Sequence, residues 1–157
     1  SYTTDAAQHK EIYEAMIQAY QNVYRRIGLG DITFLTFASG GAFTQFSHEF
    51  QTVSDVGEDI IYIDTEKRIA VNKEVYTDEV LAHIGLEKEK LIEAKSIEVG
   101  NIFDFGGSKS EQLGLMFKDE TGALKPVYLG SYGLGITRVM ATIAEVMSDD
   151  KGLVWPE

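Results

Sequence analysis

Cysteine is absent from this 157-residue chain. That excludes disulfides, thiolate nucleophiles and cysteine-built metal centres. The three histidines are scattered, which argues against a structural zinc site, so no metal-ligating residue is expected. Basic side chains are scarce: 14 Lys and Arg face 25 Asp and Glu, a formal net charge of −11. A broad electrostatic surface for nucleic acid is therefore not expected within the chain, although a local basic site is compatible with that balance. No apolar run approaches the roughly 20 residues that a membrane-spanning helix needs, so no membrane partner is expected. The opening SYTTDAAQHKEIYEAM resembles neither a secretory signal nor an Arg-rich transit peptide. There is no internal repeat and no low-complexity segment. The lack of cysteine fits a reducing, cytoplasmic setting. The chain has no initiator methionine, and its end, GLVWPE, looks like the entry to a linker. It reads as a piece of a longer protein.

What is present suits one domain with a real core: 44% hydrophobic and 25% charged residues. Residues 5–27 read as a long amphipathic helix with Ile12, Met16, Tyr20, Val23 and Ile27 on one face. Asp5 with Gln8 three residues on is capping-box-like, and Gly28 is a stop. DITFLTFA is rich in β-formers, SGGAFT is a turn, and QFSHEFQTV alternates strictly. DIIYID and RIAVN follow as short strands. Residues 76–94 are charged and helical, with Gly85 splitting them into two short helices. KSIEVGNIFDF returns to strand character. LGLMFKDETGALKPVYLGSY reads as a hairpin, and residues 134–147 as a last helix with an Ile136, Met140, Ile143, Met147 stripe. Because the strands follow one another mostly through hairpins, the expected fold is α+β: an antiparallel sheet with helices on one face.

Three stretches can carry chemistry. GSYGLGITR, residues 130–138, joins a strand rhythm to a helix rhythm. Glycines there permit close approach of a ligand, a helix N-terminus favours anions, and Arg138 is a fixed charged fork suited to phosphate. The dinucleotide-binding reading fails, because Arg138 stands where the third glycine belongs and no acidic residue follows about 20 positions later. A plain glycine turn with a surface arginine is the competing reading. In SHEF, residues 47–50, a strand points His48 and Glu49 to opposite faces, so they form no simple acid–base pair. A lone strand histidine is more often structural than a ligand. In IEVGNIF, residues 97–103, Glu98 either faces solvent or meets a ribose hydroxyl or a metal-bound nucleotide.

Taken in order, SHEFQT, IEVGNIF, GSYGLGITR and DDKGLVWP resemble the second half of the catalytic domain of bacterial-type prolyl-tRNA synthetases, over nearly the whole chain. Gly133-Leu-Gly135-Ile-Thr-Arg138 is similar to the third signature motif of class II aminoacyl-tRNA synthetases. The resemblance implies a ligase that activates proline with ATP and passes it to tRNA(Pro), with Mg2+ bridging the phosphates. It implies Arg138 as the catalytic ATP-holding arginine, with Glu98, Gly100, Gly133 and Gly135 around the nucleotide. It implies His48, Glu49 and Ser131 at the amino-acid pocket, and a homodimer in the parent.

The departures are informative. Ser131 stands where the family usually has cysteine, in C-Y-G-I-G. FGGSKS, residues 105–110, replaces Leu-Gly-Thr-Lys-aromatic-Ser and displaces the lysine onto Lys109. Only residues 73–95 lie where an editing domain of well over a hundred residues is common, so that segment reads as a short helical replacement. Residues 1–157 then correspond to a partial catalytic domain, from after the second signature motif through the third, and are expected to be inactive alone. The rival of another class is a non-catalytic synthetase-like module with a regulatory or tRNA-sensing role. A threonyl or seryl enzyme fits SHEF and IEVGNIF less well.

Overall fold

The first helix, α1, spans Ala6–Arg26 and begins where the sequence signals it. The Asp5 carboxylate accepts the Gln8 backbone N–H at 2.9 Å. Past the other end, Gly28 takes a φ of +78°, a left-handed conformation that glycine adopts without a Cβ clash. Its buried face runs through His9, Tyr20 and Tyr24, with Tyr13, Met16 and Ile17 packed alongside. Val23, expected in that stripe, stays 39% exposed. The neighbouring Tyr24 takes the inward position because its ring packs on Phe50, with centroids 5.3 Å apart.

The computed structural model describes residues 1–41 and 44–156. Ala42 and Phe43, in the expected SGGAFT turn, and Glu157 lie outside them. A short strand β1 (Tyr2–Thr3) precedes α1. After it come β2 (Thr33–Ser39), β3 (Phe46–Val53), β4 (Asp59–Asp64), β5 (Ile69–Asn72), α2 (Asp78–Ile84) and β6 (Ile92–Gly106). The chain continues through α3 (Ser108–Leu113), β7 (Met116–Lys118), β8 (Leu124–Pro126), β9 (Tyr128–Leu134), α4 (Ile136–Val146), β10 (Ser148–Asp149) and β11 (Gly152–Leu153). Among the described residues seven strands make one sheet, ordered β1-β9-β6-β3-β2-β5-β4, and β4 also pairs with β6. The pairings of β6, β3, β2, β5 and β4 thus close a ring.

Most pairs are antiparallel, as expected, but β2 and β5 are parallel. The cause lies in the β3–β4 connection, which does not reverse the chain: both strands run antiparallel to β6. The β4–β5 hairpin then delivers β5 in the direction of β2. The connection rests directly on β6. Ser54 N–H donates to the Lys95 carbonyl at 3.1 Å, and a Cβ at Gly57 would run into the Ser96 backbone.

The sheet has one apolar, helix-covered face. Tyr20, Tyr24, Leu29, Phe50, Val99, Ile102, Val139 and Ile143 form its core, joining α1, the sheet and α4. Tyr20 stacks on Phe50 at 4.9 Å. By register, Val71 shares this face with Phe37, and α2 covers it through Leu81. On the opposite face, Phe34, Ile61, Ile63 and Ala70 fill part of the ring.

Three sequence expectations change. The second helix of residues 76–94 is a single 3-10 turn, Lys88–Lys90, and from Ile92 the chain is already β6. Gly85, at φ +70°, stops α2, and Leu91 packs back on the α2 cluster, leaving too few residues for another helix. The hairpin is confined to β7 and β8, while β9 joins the main sheet beside β6. The last helix buries Val139, Thr142 and Ile143 instead of the Ile136–Met140 line, and Ile136 is 78% exposed. The strand-to-helix corner at Gly135 sets that rotation.

Because Gly57 sits against backbone that cannot swing aside, Gly57→Ala should lower the unfolding free energy by roughly 1–3 kcal/mol. Urea unfolding reads the difference. An unchanged midpoint would show that the connection lifts off Ser96 freely.

Candidate functional site

The site is built around an irregularity in β6. Phe50 pairs with Gly100, but the next residue, Gln51, pairs with Glu98, so Val99 is an extra residue in the ladder. Strict alternation would put Glu98 and Asn101, three apart, on opposite faces. The bulge puts both on the face away from α1 and sends Val99 into the core. The Val99 carbonyl accepts the Gly135 N–H at 3.1 Å, which pins the β9–α4 corner to β6.

At that corner α4 begins without a side-chain cap. Its first amides carry the positive end of the helix dipole, a setting that favours an anion. Arg138 stands in this first turn with half its side chain exposed. Its Nη1 donates to the Glu98 carbonyl at 3.1 Å and lies 3.8 Å from Glu98 Oε2. Glu98 Oε1 accepts Asn101 Nδ2–H at 3.2 Å. Glu98, Gly100, Asn101, Gly133, Gly135 and Arg138 line one open cleft of about 290 Å3. The structure thus brings together the five residues singled out around the nucleotide.

The glycines have separate jobs. The expected glycine turn is mostly strand: β9 runs through Gly130 and Gly133, and only Gly135 sits at the corner. A Cβ at Gly133 would lie 2.9 Å from Asn101 Oδ1, so glycine keeps the floor open there. Gly100 also lines the cleft, but a Cβ there would meet Tyr24 Oη at 2.6 Å and the Tyr20 ring at 3.0 Å. Its small size serves packing beneath the floor.

Glu49 belongs to the cleft face. Register sets Thr36, Glu49, Asn101 and Gly133 side by side across β2, β3, β6 and β9. Gln51 Nε2 donates to Glu49 Oε2 at 3.0 Å and to Asp59 Oδ2 at 2.7 Å. Asn72 Nδ2 reaches Glu49 Oε2 at 3.4 Å. Burial pushes the Glu49 carboxyl up to about 7, and the Glu98 and Asp59 charges add to that, while the two amide donors pull the other way.

His48 turns to the helix face. Its Nδ1 lies 2.7 Å from Tyr13 Oη, and its ring meets Phe37 and Tyr13 at 5.7 and 5.8 Å. Burial lowers its pKa, more than the Asp104 charge raises it, which favours the neutral ring. Ser131 is exposed on β9, paired with Phe103. The structure therefore does not gather His48 with Glu49 and Ser131 in one pocket; His48 lies across the sheet from Glu49. Lys109 is on α3 and outside the residues that line the cleft. A larger hollow of about 440 Å3, by the end of α1, holds none of the predicted residues. The Arg68 guanidinium beside it is bound to the carbonyls of Gly30, Asp31 and Thr33. Among the described residues no helix is long and apolar enough to cross a membrane.

The model of the tRNA synthetase class II core domain (G, H, P, S and T) matches residues 1–147. The chain is 34% identical to the proline--tRNA ligase of Rickettsia akari (strain Hartford), over 92% of this chain and 36% of that protein. It is 32% identical to the proline--tRNA ligase of Rickettsia bellii (strain OSU 85-389), over 99% of this chain and 39% of that protein. The chain thus spans somewhat more than a third of the length of the curated relatives it matches.

Glu49 gives a pH test. Its carboxyl is raised from 4.5 to about 7 in the fold, so the unfolded chain ionises first as pH rises. Its contribution to stability is complete below about pH 4.5 and is lost progressively as pH climbs through about 7. Glu49→Gln should remove that loss: relative to the unsubstituted chain it should gain about 1–3 kcal/mol between pH 4.5 and 8. Denaturant unfolding across that range measures it, and parallel pH curves for the two proteins would rule the effect out.

Proposed function

Since the chain belongs to the family of class II tRNA synthetase core domains, we propose that it is the central part of a proline--tRNA ligase. The reading is that the full-length protein joins proline to ATP as prolyl-adenylate and then passes the prolyl group to the 3′ end of tRNA(Pro). The observation that carries it is the convergence of Glu98, Gly133, Gly135 and Arg138 on one cleft at an uncapped helix N-terminus. The names of the relatives support the choice of proline.

The first step needs little from a protein base. A proline carboxylate oxygen attacks the α-phosphorus, the bond to the bridging oxygen breaks, and pyrophosphate leaves with its electrons. Charge builds on phosphoryl oxygens throughout, so positioning and fixed positive charge do the catalysis. Arg138 supplies an always-charged fork and the first turn of α4 supplies oriented N–H donors. The backbone of Gly133 lets the nucleotide lie on the floor. Among the described residues no group of three acidic or histidine side chains could hold a metal ion by itself. Magnesium would therefore enter with the nucleotide, would face Glu98, the carboxylate that lines the cleft, and would supply positive charge to the phosphates.

In the same reading, Ser131 and the Glu49 row border the amino acid, while residues 73–95 stand in place of an editing domain. The parent acts as a cytoplasmic homodimer with its tRNA.

Proline-dependent exchange of pyrophosphate into ATP by the full-length protein tests the proposal. Arg138→Ala should cut the exchange rate about 30- to 1,000-fold, the equivalent of about 2–4 kcal/mol. An unchanged rate sinks the role of Arg138. A protein that binds nucleotide yet exchanges nothing with proline is the non-catalytic alternative.

A further inference from the structure

Asn101 lies at the centre of the cleft floor. Its side chain is half-buried on β6, between Glu49 on β3 and Gly133 on β9. Its Nδ2–H is given to Glu98 Oε1 at 3.2 Å. The other oxygen of the same carboxylate faces Arg138 Nη1 at 3.8 Å, and Arg138 also holds the Glu98 carbonyl at 3.1 Å. Glu98 is thereby gripped at both ends, by an amide donor and by a guanidinium. Left alone beside the bulge, a half-exposed arginine has several rotamers, and each one it must give up on binding weakens the complex.

We infer that Asn101 is a positioning residue for the nucleotide: by holding the Glu98 carboxylate, it presets the Arg138 fork over the cleft. This rests on the nucleotide reading proposed above. The amide suits the task because it gives a donor to Glu98 without adding charge to a face that already carries Glu49, Asp59 and Glu98. Its Oδ1 meanwhile sits by Gly133, a position that no other side chain shares because Gly133 has none. The arrangement makes Asn101 act through Arg138, so the two residues should be strongly coupled, unlike two independent contacts.

A double-mutant cycle on ATP binding by the full-length protein tests the coupling. Arg138→Ala is expected to weaken ATP about 30-fold or more and Asn101→Ala about 10-fold. The double variant should bind no more than about twofold worse than Arg138→Ala alone. A purely structural role for Asn101 would instead add its full loss in the Arg138→Ala background, and that additive result overturns the inference. Asn101→Asp, of nearly the same shape, keeps the fold testable if the alanine variant is unstable. Placing a second carboxylate against Glu98, it should lose at least as much affinity as alanine, whereas near-native binding also overturns the inference. If the unsubstituted protein binds no ATP, the nucleotide reading itself falls, and this inference with it.

Discussion

The extra residue in β6 is the constraint on which the site depends. With one more residue than its partner strand between Phe50 and Gln51, β6 changes which side chains face which way. Val99 enters the core and its carbonyl receives the Gly135 N–H, so the end of β9 and the start of α4 are fixed to the bulge. Glu98, one residue earlier, faces the cleft and meets Arg138 from α4. A regular strand would leave Glu98 and Asn101 on opposite faces and the corner without its carbonyl. Bulges commonly serve this purpose beside binding sites, where a side chain has to be re-aimed.

The sheet separates two kinds of chemistry. The helix face is apolar and aromatic, with the Tyr20–Phe50 stack and Tyr24 lying directly beneath Gly100. The opposite face carries the small Phe34, Ile61, Ile63 and Ala70 cluster and, beside it, a polar and acidic region: Glu49, Asp59 and Glu98 are held by Gln51, Asn72 and Asn101 amides together with Arg138. Buried carboxylates are expensive, and amide donors lower that cost without cancelling it, as the raised Glu49 carboxyl shows. The same face thus carries the Glu49 and Asp59 carboxylates at one end and the Arg138 guanidinium at the other.

Much of this was legible beforehand. Asp5 and Gly28 marked α1, and the alternation of SHEF put His48 and Glu49 on opposite faces. The cleft residues Glu98, Gly133, Gly135 and Arg138 were found through the wording of their motifs. Asn101, Gln51 and Asn72 were missed for a physical reason. Asn101 joins Glu98 only through the bulge, which period-2 reasoning cannot see, and Asn72 reaches Glu49 from a strand that pairs elsewhere. The parallel β2–β5 pair was hidden because it arises from a connection crossing β6, and no residue pattern within either strand records that. Of the α4 stripe, Ile143 and Met147 do face the core, but Ile136 and Met140 stay exposed because the first turn is held by the corner and does not follow the apolar period alone.

The closure of the sheet has a consequence for the order in which the chain can fold. β2 to β5 are made before β6, yet both ends of their ring are completed only by β6. β1 waits longer still: it pairs with β9, far along the chain, where the Gly130 N–H donates to the Ser1 carbonyl at 3.1 Å. Pairings this distant in sequence close large loops before they return any contact energy, and they slow folding. On a ribosome, the first half of the chain would therefore emerge with open strand edges and with Phe34, Ile61 and Ile63 uncovered. It would have to remain unassociated until the strand carrying the bulge followed.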